Sequence, residues 1–154
     1  MAPVTFTDRE MRRAWEINLK VYTGLKTTNA HRLLLFYAVE CGLKAVLMKR
    51  RQVNCTELCG EIQEAQHNIN KLLDCLSAGE VLKLPSQLQM SPIKIQGKTR
   101  ERTLDPGKIN QVWRYGGSFV HIHSSSSASS DVQDDHIEKK LNVISQWIKQ
   151  ELDA

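Results

Sequence analysis

Aromatic residues are scarce in this chain, three each of Trp, Tyr and Phe among 154 residues, and there are only four prolines and eight glycines. That composition excludes a collagen-like or proline-rich low-complexity chain. Four cysteines are too few for a disulfide scaffold of this length. The longest unbroken apolar run, Leu33 to Val39, is seven residues, far short of a bilayer span, so no membrane role is expected. No apolar stretch follows the first basic residues, and Asp8 and Glu10 stand among them. The expectation is therefore a protein without a signal peptide, located in the cytoplasm. No internal repeat is visible.

What is present is the composition of a globular protein, 41% hydrophobic and 25% charged. A single domain over 1–154 is expected, long enough to bury a core without staples. Cys41, Cys55, Cys59 and Cys75 fall in segments that read as helices and suit reduced, mostly buried thiols. Cys55 and Cys59 form a C-x3-C pair, but His67, the closest histidine in sequence, is two turns further on. No metal or other cofactor is expected. The net charge of +4 is unevenly spread: residues 1–114 carry 18 basic against 11 acidic side chains, and 115–154 carry 3 against 6. The basic part suits a phosphate-bearing partner, though it also suits an ordinary solvated face.

Thr7 and Glu10 form a T-x-x-E capping box, and Met11, Trp15, Leu19 and Tyr22 follow at helical spacing, which predicts a helix over about 8–23. Asn29 is the expected cap of a second helix running to about Arg51, apolar nearly all round from Leu33 to Met48 and so the central one. The basic Lys49-Arg50-Arg51 suits its negative pole. Thr56 is the expected cap of a third helix in which Leu58, Ile62, Ala65, Ile69, Leu72 and Leu76 form one stripe. Between Ser77 and Leu104 the pattern breaks, and Ile93 to Gln96 alternates as a strand would, predicting an irregular or β-ribbon insertion over about 77–104. Asp105-Pro106 opens a short helix carrying Ile109, Val112 and Trp113, which Gly116-Gly117 ends. Residues 118–123 read as a short strand and 124–130, six serines and an alanine, as a flexible tether. The last helix, about 131–152, shows Ile137, Leu141, Ile144, Ile148 and Leu152 on one face. The fold class is all-α: a bundle of four to five helices with that small insertion.

Three groups of residues invite a chemical reading. Tyr37, Glu40 and Lys44 lie on adjacent turns of the apolar second helix, either as a packed i, i+4 ion pair or as polar groups kept for a site or subunit contact. His67 precedes the point where the third stripe resumes, where a structural hydrogen bond is the simpler reading. Arg114 is followed by His121, with His123 close behind. An arginine to hold phosphate and an imidazole to move a proton suffice for metal-free RNA cleavage, but this spacing is common enough by chance to prove nothing alone. Lys94, Lys98, Arg100 and Arg102 crowd the insertion, as a solvated loop or as a phosphate-tracking one.

Tyr37-Ala38-Val39-Glu40-Cys41-Gly42-Leu43-Lys44-Ala45 resembles the Y-x-x-E-x-x-L-K-A signature of the HEPN domains (higher eukaryotes and prokaryotes nucleotide-binding). His67-Asn68-Ile69-Asn70-Lys71-Leu72 resembles that family's H-[DN]-[LI]-x-x-L motif. The resemblance implies a helical bundle, usually a homodimer, and in its active members a metal-independent ribonuclease whose R-x4-6-H pair would fall on Arg114 and His121. Trp113-Arg114-Tyr115-Gly116 is more similar to members with a W-x-x-R-Y-type motif that lack the nuclease pair, in which Arg114 and Tyr115 would line a pocket or interface. The reading that follows is a nucleotide- or nucleic-acid-binding accessory protein of prokaryotic antiviral defence, with RNA or a nucleotide as ligand. The alternatives are a HEPN endoribonuclease, as toxin or defence effector, and a protein-interaction module without a nucleic-acid role. A protein partner from a defence or toxin–antitoxin operon belongs to the same expectation.

Overall fold

A computed structural model describes residues 4–23, 28–120 and 133–154. Six α-helices and one β-hairpin make up the described chain: α1 (Asp8–Thr23), α2 (Asn29–Arg51), α3 (Gly60–Ala65), α4 (Ile69–Cys75), β1 (Leu88–Ile95), β2 (Lys98–Leu104), α5 (Ile109–Arg114) and α6 (Gln133–Asp153). The helical class with a small β insertion is as expected. The 124–130 tether, His121, His123 and the end of the 118–123 strand lie outside the described residues. Val120, at that strand's described edge, makes a single antiparallel bridge to Gln89.

The fold is organised around α2. Every residue from Leu35 to Met48 except Tyr37 and Cys41 is buried, so the helix that is apolar all round is indeed the central one. α1 lays Trp15 and the partly buried Met11, Leu19 and Tyr22 along it. From the other side α6 buries Ile137, Leu141, Ile144, Ile148 and Leu152, its whole predicted face. The three helices meet at Gly42, where an added Cβ would lie 2.8 Å from Ile148 Cγ2 and 3.0 Å from Trp15 Cε3.

The helix ends explain themselves. The Thr7 hydroxyl oxygen accepts from the Glu10 N–H at 3.1 Å, and the Glu10 carboxylate accepts from the Thr7 N–H at 3.0 Å, the expected capping box. α2 is capped by Thr28 and not by Asn29: His31 Nδ1 accepts from the Thr28 N–H at 3.1 Å, while the Thr28 hydroxyl accepts from the His31 N–H. Asn29 instead donates its amide to the Gly117 carbonyl at 2.8 Å, tying the start of α2 to the end of α5. The basic end of α2 serves α6 more than itself. Lys49 Nζ donates to the carbonyls of Glu151, Leu152 and Ala154 at 2.9, 3.2 and 2.7 Å, capping that helix's C-terminal turn.

The continuous third helix is corrected. The segment is a 3-10 turn at Thr56–Leu58, then α3, then α4. Thr56 caps nothing, because its hydroxyl accepts from the Phe6 N–H at 3.0 Å and so secures the N-terminal segment. Leu58 is exposed. The break between α3 and α4 follows from Gln66 at φ 51° and from Asn68, whose side-chain oxygen accepts from the Lys71 N–H and starts a new helix. The same departure touches the thiols: Cys55 and Cys59 sit at the ends of the 3-10 turn, and of the four cysteines only Cys59 is buried.

A candidate nucleic-acid interface

The polar residues of α2 find partners inside the chain. Lys44 Nζ donates to Glu40 at 2.8 Å, and His67 Nδ1 lies 2.9 Å from the other Glu40 oxygen, so the two sequence motifs meet at one buried carboxylate. Burial pushes the Glu40 carboxyl up, but the His67 hydrogen bond and the Lys44 charge outweigh it and hold the group below its ordinary range. Cys41 next to it is pushed up to about 11, by burial first and by the Glu40 charge second, which leaves an unreactive thiol. His67 is half exposed, so the break between α3 and α4 brings an imidazole to the bundle surface over the buried acid.

Tyr37 points toward α5 and not toward Glu40. Its hydroxyl is hydrogen-bonded by the Arg114 guanidinium, which also interacts with the Tyr115 hydroxyl. Tyr37 first and Tyr115 second raise the Arg114 pKa at the C-terminal end of α5. His121 lies outside the described residues, and the Arg114–His121 pair is not placed.

The insertion is a regular hairpin. Its turn is Gln96-Gly97, with φ 52° and 79°, the left-handed pair that a tight two-residue turn requires. A bulge between Met90 and Ile93 accommodates Pro92, which cannot donate to a ladder. The bulge frees the Ser91 carbonyl, and Arg102 satisfies it with two donors at 2.9 and 2.7 Å. The pairs Met90–Arg102, Ile93–Arg100 and Ile95–Lys98 put Lys98, Arg100 and Arg102 on one face together with Met90, Ile93 and Ile95. Lys94, paired with Thr99, is on the opposite face. The four cations of the hairpin thus divide into a stripe of three and one outsider.

At its base the stripe runs into an open groove of about 470 Å³ between the hairpin and α5. Met90, Arg102, Lys108, Gln111, Tyr115 and Gly117 are among its lining residues. Gly117 is where the walls come closest: a Cβ there would lie 2.7 Å from Met90 Cε and 3.0 Å from Val112 Cγ1. Tyr115 is 78% exposed. The groove therefore combines two cations, an open aromatic ring and a glycine pair at its edge. A larger cleft of about 610 Å³ lies between α4 and α6, but two of its lysines are already engaged. Lys83 pairs with Asp74 and Glu80 at 2.5 and 2.9 Å, and Lys140 donates to the Val81 carbonyl.

Sequence reasoning missed Lys108 and Asp134. Asp134 is fully buried and accepts from the Trp113 indole N–H at 2.6 Å and the Phe119 N–H at 3.2 Å, fastening α6 to the strand of chain that leaves α5. Burial raises its pKa against those two hydrogen bonds. Among the described residues no three His, Cys, Asp or Glu side chains converge as a metal site would need, and no helix is long and apolar enough to cross a membrane. No family model, curated protein or solved structure matches the chain.

Proposed function

We propose that this chain is a HEPN-like accessory protein that binds nucleic acid, and that the basic face of the β1–β2 hairpin with the adjoining groove is the contact surface. One observation carries this: Lys98, Arg100 and Arg102 share one face of the ribbon and lead into a groove holding Lys108 and the exposed Tyr115. Cations along a ribbon meet phosphates, and an exposed ring beside them offers a surface on which a base stacks. The test is fluorescence anisotropy of a labelled RNA titrated at several salt concentrations. Replacing Lys98 and Arg100 by serine should weaken binding at every sequence and flatten the salt dependence, because fewer counterions are released. Arg102 is left in place since it also satisfies the bulge. Unchanged affinity and slope would assign this charge to solubility. RNA cleavage without added metal, lost equally in Arg114→Ala and His121→Ala, would replace this reading by the ribonuclease one.

The proposal includes a homodimer. α1 leaves Ile17 and Val21 exposed, and with Phe6, Met11, Ala14 and Cys41 it borders a largely apolar hollow of about 470 Å³. A second copy of the chain is the proposed cover.

A further inference from the structure

Resting on that reading of the face, we infer that its ligand is a single strand, one base of which enters the groove and stacks on Tyr115 while the phosphates follow Lys98 and Arg100. Three features of the site favour an unpaired base over a paired one. The first is the ring. Tyr115 is 78% exposed and follows Arg114, whose guanidinium is hydrogen-bonded to Tyr37. A solvent-facing ring beside cations offers a face on which an unpaired base stacks. The second is the surface beside the ring. Gly116 at φ 80° turns the chain away after α5, and a side chain added there would meet nothing within 4 Å, so the surface next to the ring is open, while Gly117 lies closed against Met90 and Val112. The third is the distribution of charge. Lys98, Arg100 and Arg102 stand at alternate positions of one strand, so they span only about 14 Å in a line. Such a line follows one backbone and does not straddle a duplex. Lys108 and Gln111 at the groove wall offer donors to a base edge or to the phosphate beside it.

The experiment uses the full chain and three labelled probes: a ten-nucleotide RNA, the DNA of the same sequence, and the RNA annealed to its complement. Each is titrated by anisotropy with the unmodified protein, Tyr115→Phe and Tyr115→Ala. The single strands are expected to bind more tightly than the duplex. Tyr115→Ala should weaken single-strand binding by about 5- to 100-fold, the range found when one stacking ring is removed. It should leave the duplex unchanged, and Tyr115→Phe should stay within about twofold of the parent because the ring remains. Tyr115 is exposed, so both variants should fold, which their urea midpoints check. Equal single-strand affinity for RNA and DNA supports stacking and backbone contact alone; an RNA preference lost in Tyr115→Ala supports a ribose contact at the same groove. If the protein binds strands and duplex but Tyr115→Ala alters neither, or both equally, this inference falls and the basic face stands. If it binds none of the three, the reading of the face falls with it.

Discussion

Glu40 is the most burdened single residue of the core. A lysine and a histidine share one buried carboxylate, and removing it would leave Lys44 buried without a counter-charge. Glu40→Gln should therefore destabilise the fold by about 3 kcal/mol at pH 7, measured by urea unfolding. Its pH dependence has a definite sign. The folded-state pKa is depressed, so the carboxylate contributes stability above its ordinary value of 4.5, and that contribution fades as pH falls through the lower folded value. The gap between the parent and Glu40→Gln should accordingly shrink below about pH 4.5. A gap that stayed constant to pH 3 would show that the ion cluster is not its source. Asp134 makes a second residue-scale prediction. Asp134→Ala leaves the Trp113 and Phe119 N–H groups buried and unpaired, and should cost about 2–4 kcal/mol in the same measurement. Glu40 and Lys44 were legible in the sequence because i, i+4 polar groups on an apolar helix need partners. Asp134 was not, since an acid at a helix start looks the same whether it faces solvent or a tryptophan 21 residues back.

Among the elements, α1, α2 and α6 were readable because their stripes are long and each is buried by the others. Their common contact at Gly42 yields a prediction: Gly42→Ala drives a methyl group against Ile148 and Trp15 and should cost about 2 kcal/mol. A urea midpoint equal to the parent's would mean the three helices can part without penalty. The α3–α4 segment was misread for a physical reason. Its apolar spacing continues across the break, so periodicity alone joins the pieces, while what parts them is the left-handed Gln66 and the Asn68–Lys71 hydrogen bond. Both are local in sequence, yet neither disturbs the apolar spacing. In the hairpin, alternation at Ile93–Gln96 revealed a ribbon, but the bulge at Ser91-Pro92 conceals the register of the rest. That register decides which cations share a face, so the candidate site could be suspected from composition and not assembled from it.

At the scale of the whole molecule, α2 and α6 bury their apolar faces against one another and α1. What remains outside is α1's own outer face, with Ile17 at 54% and Val21 at 43% exposure. If that face closes on a second copy, light scattering should give a dimer mass that Ile17→Glu reduces to a monomer. A monomer at tens of micromolar for the parent would remove the dimer from the proposal. The central claim concerns the hairpin, one face of which carries three cations and the opposite face one. The most direct measurement compares Arg100→Ser with Lys94→Ser, two equal losses of charge six residues apart in sequence, in salt-dependent binding to the same single-stranded RNA. The proposal predicts that Arg100→Ser weakens binding and lowers the salt slope by about 0.7, the share of one phosphate contact on a single strand, while Lys94→Ser leaves both close to the parent. Equal effects from the two substitutions, or none from either, would contradict it.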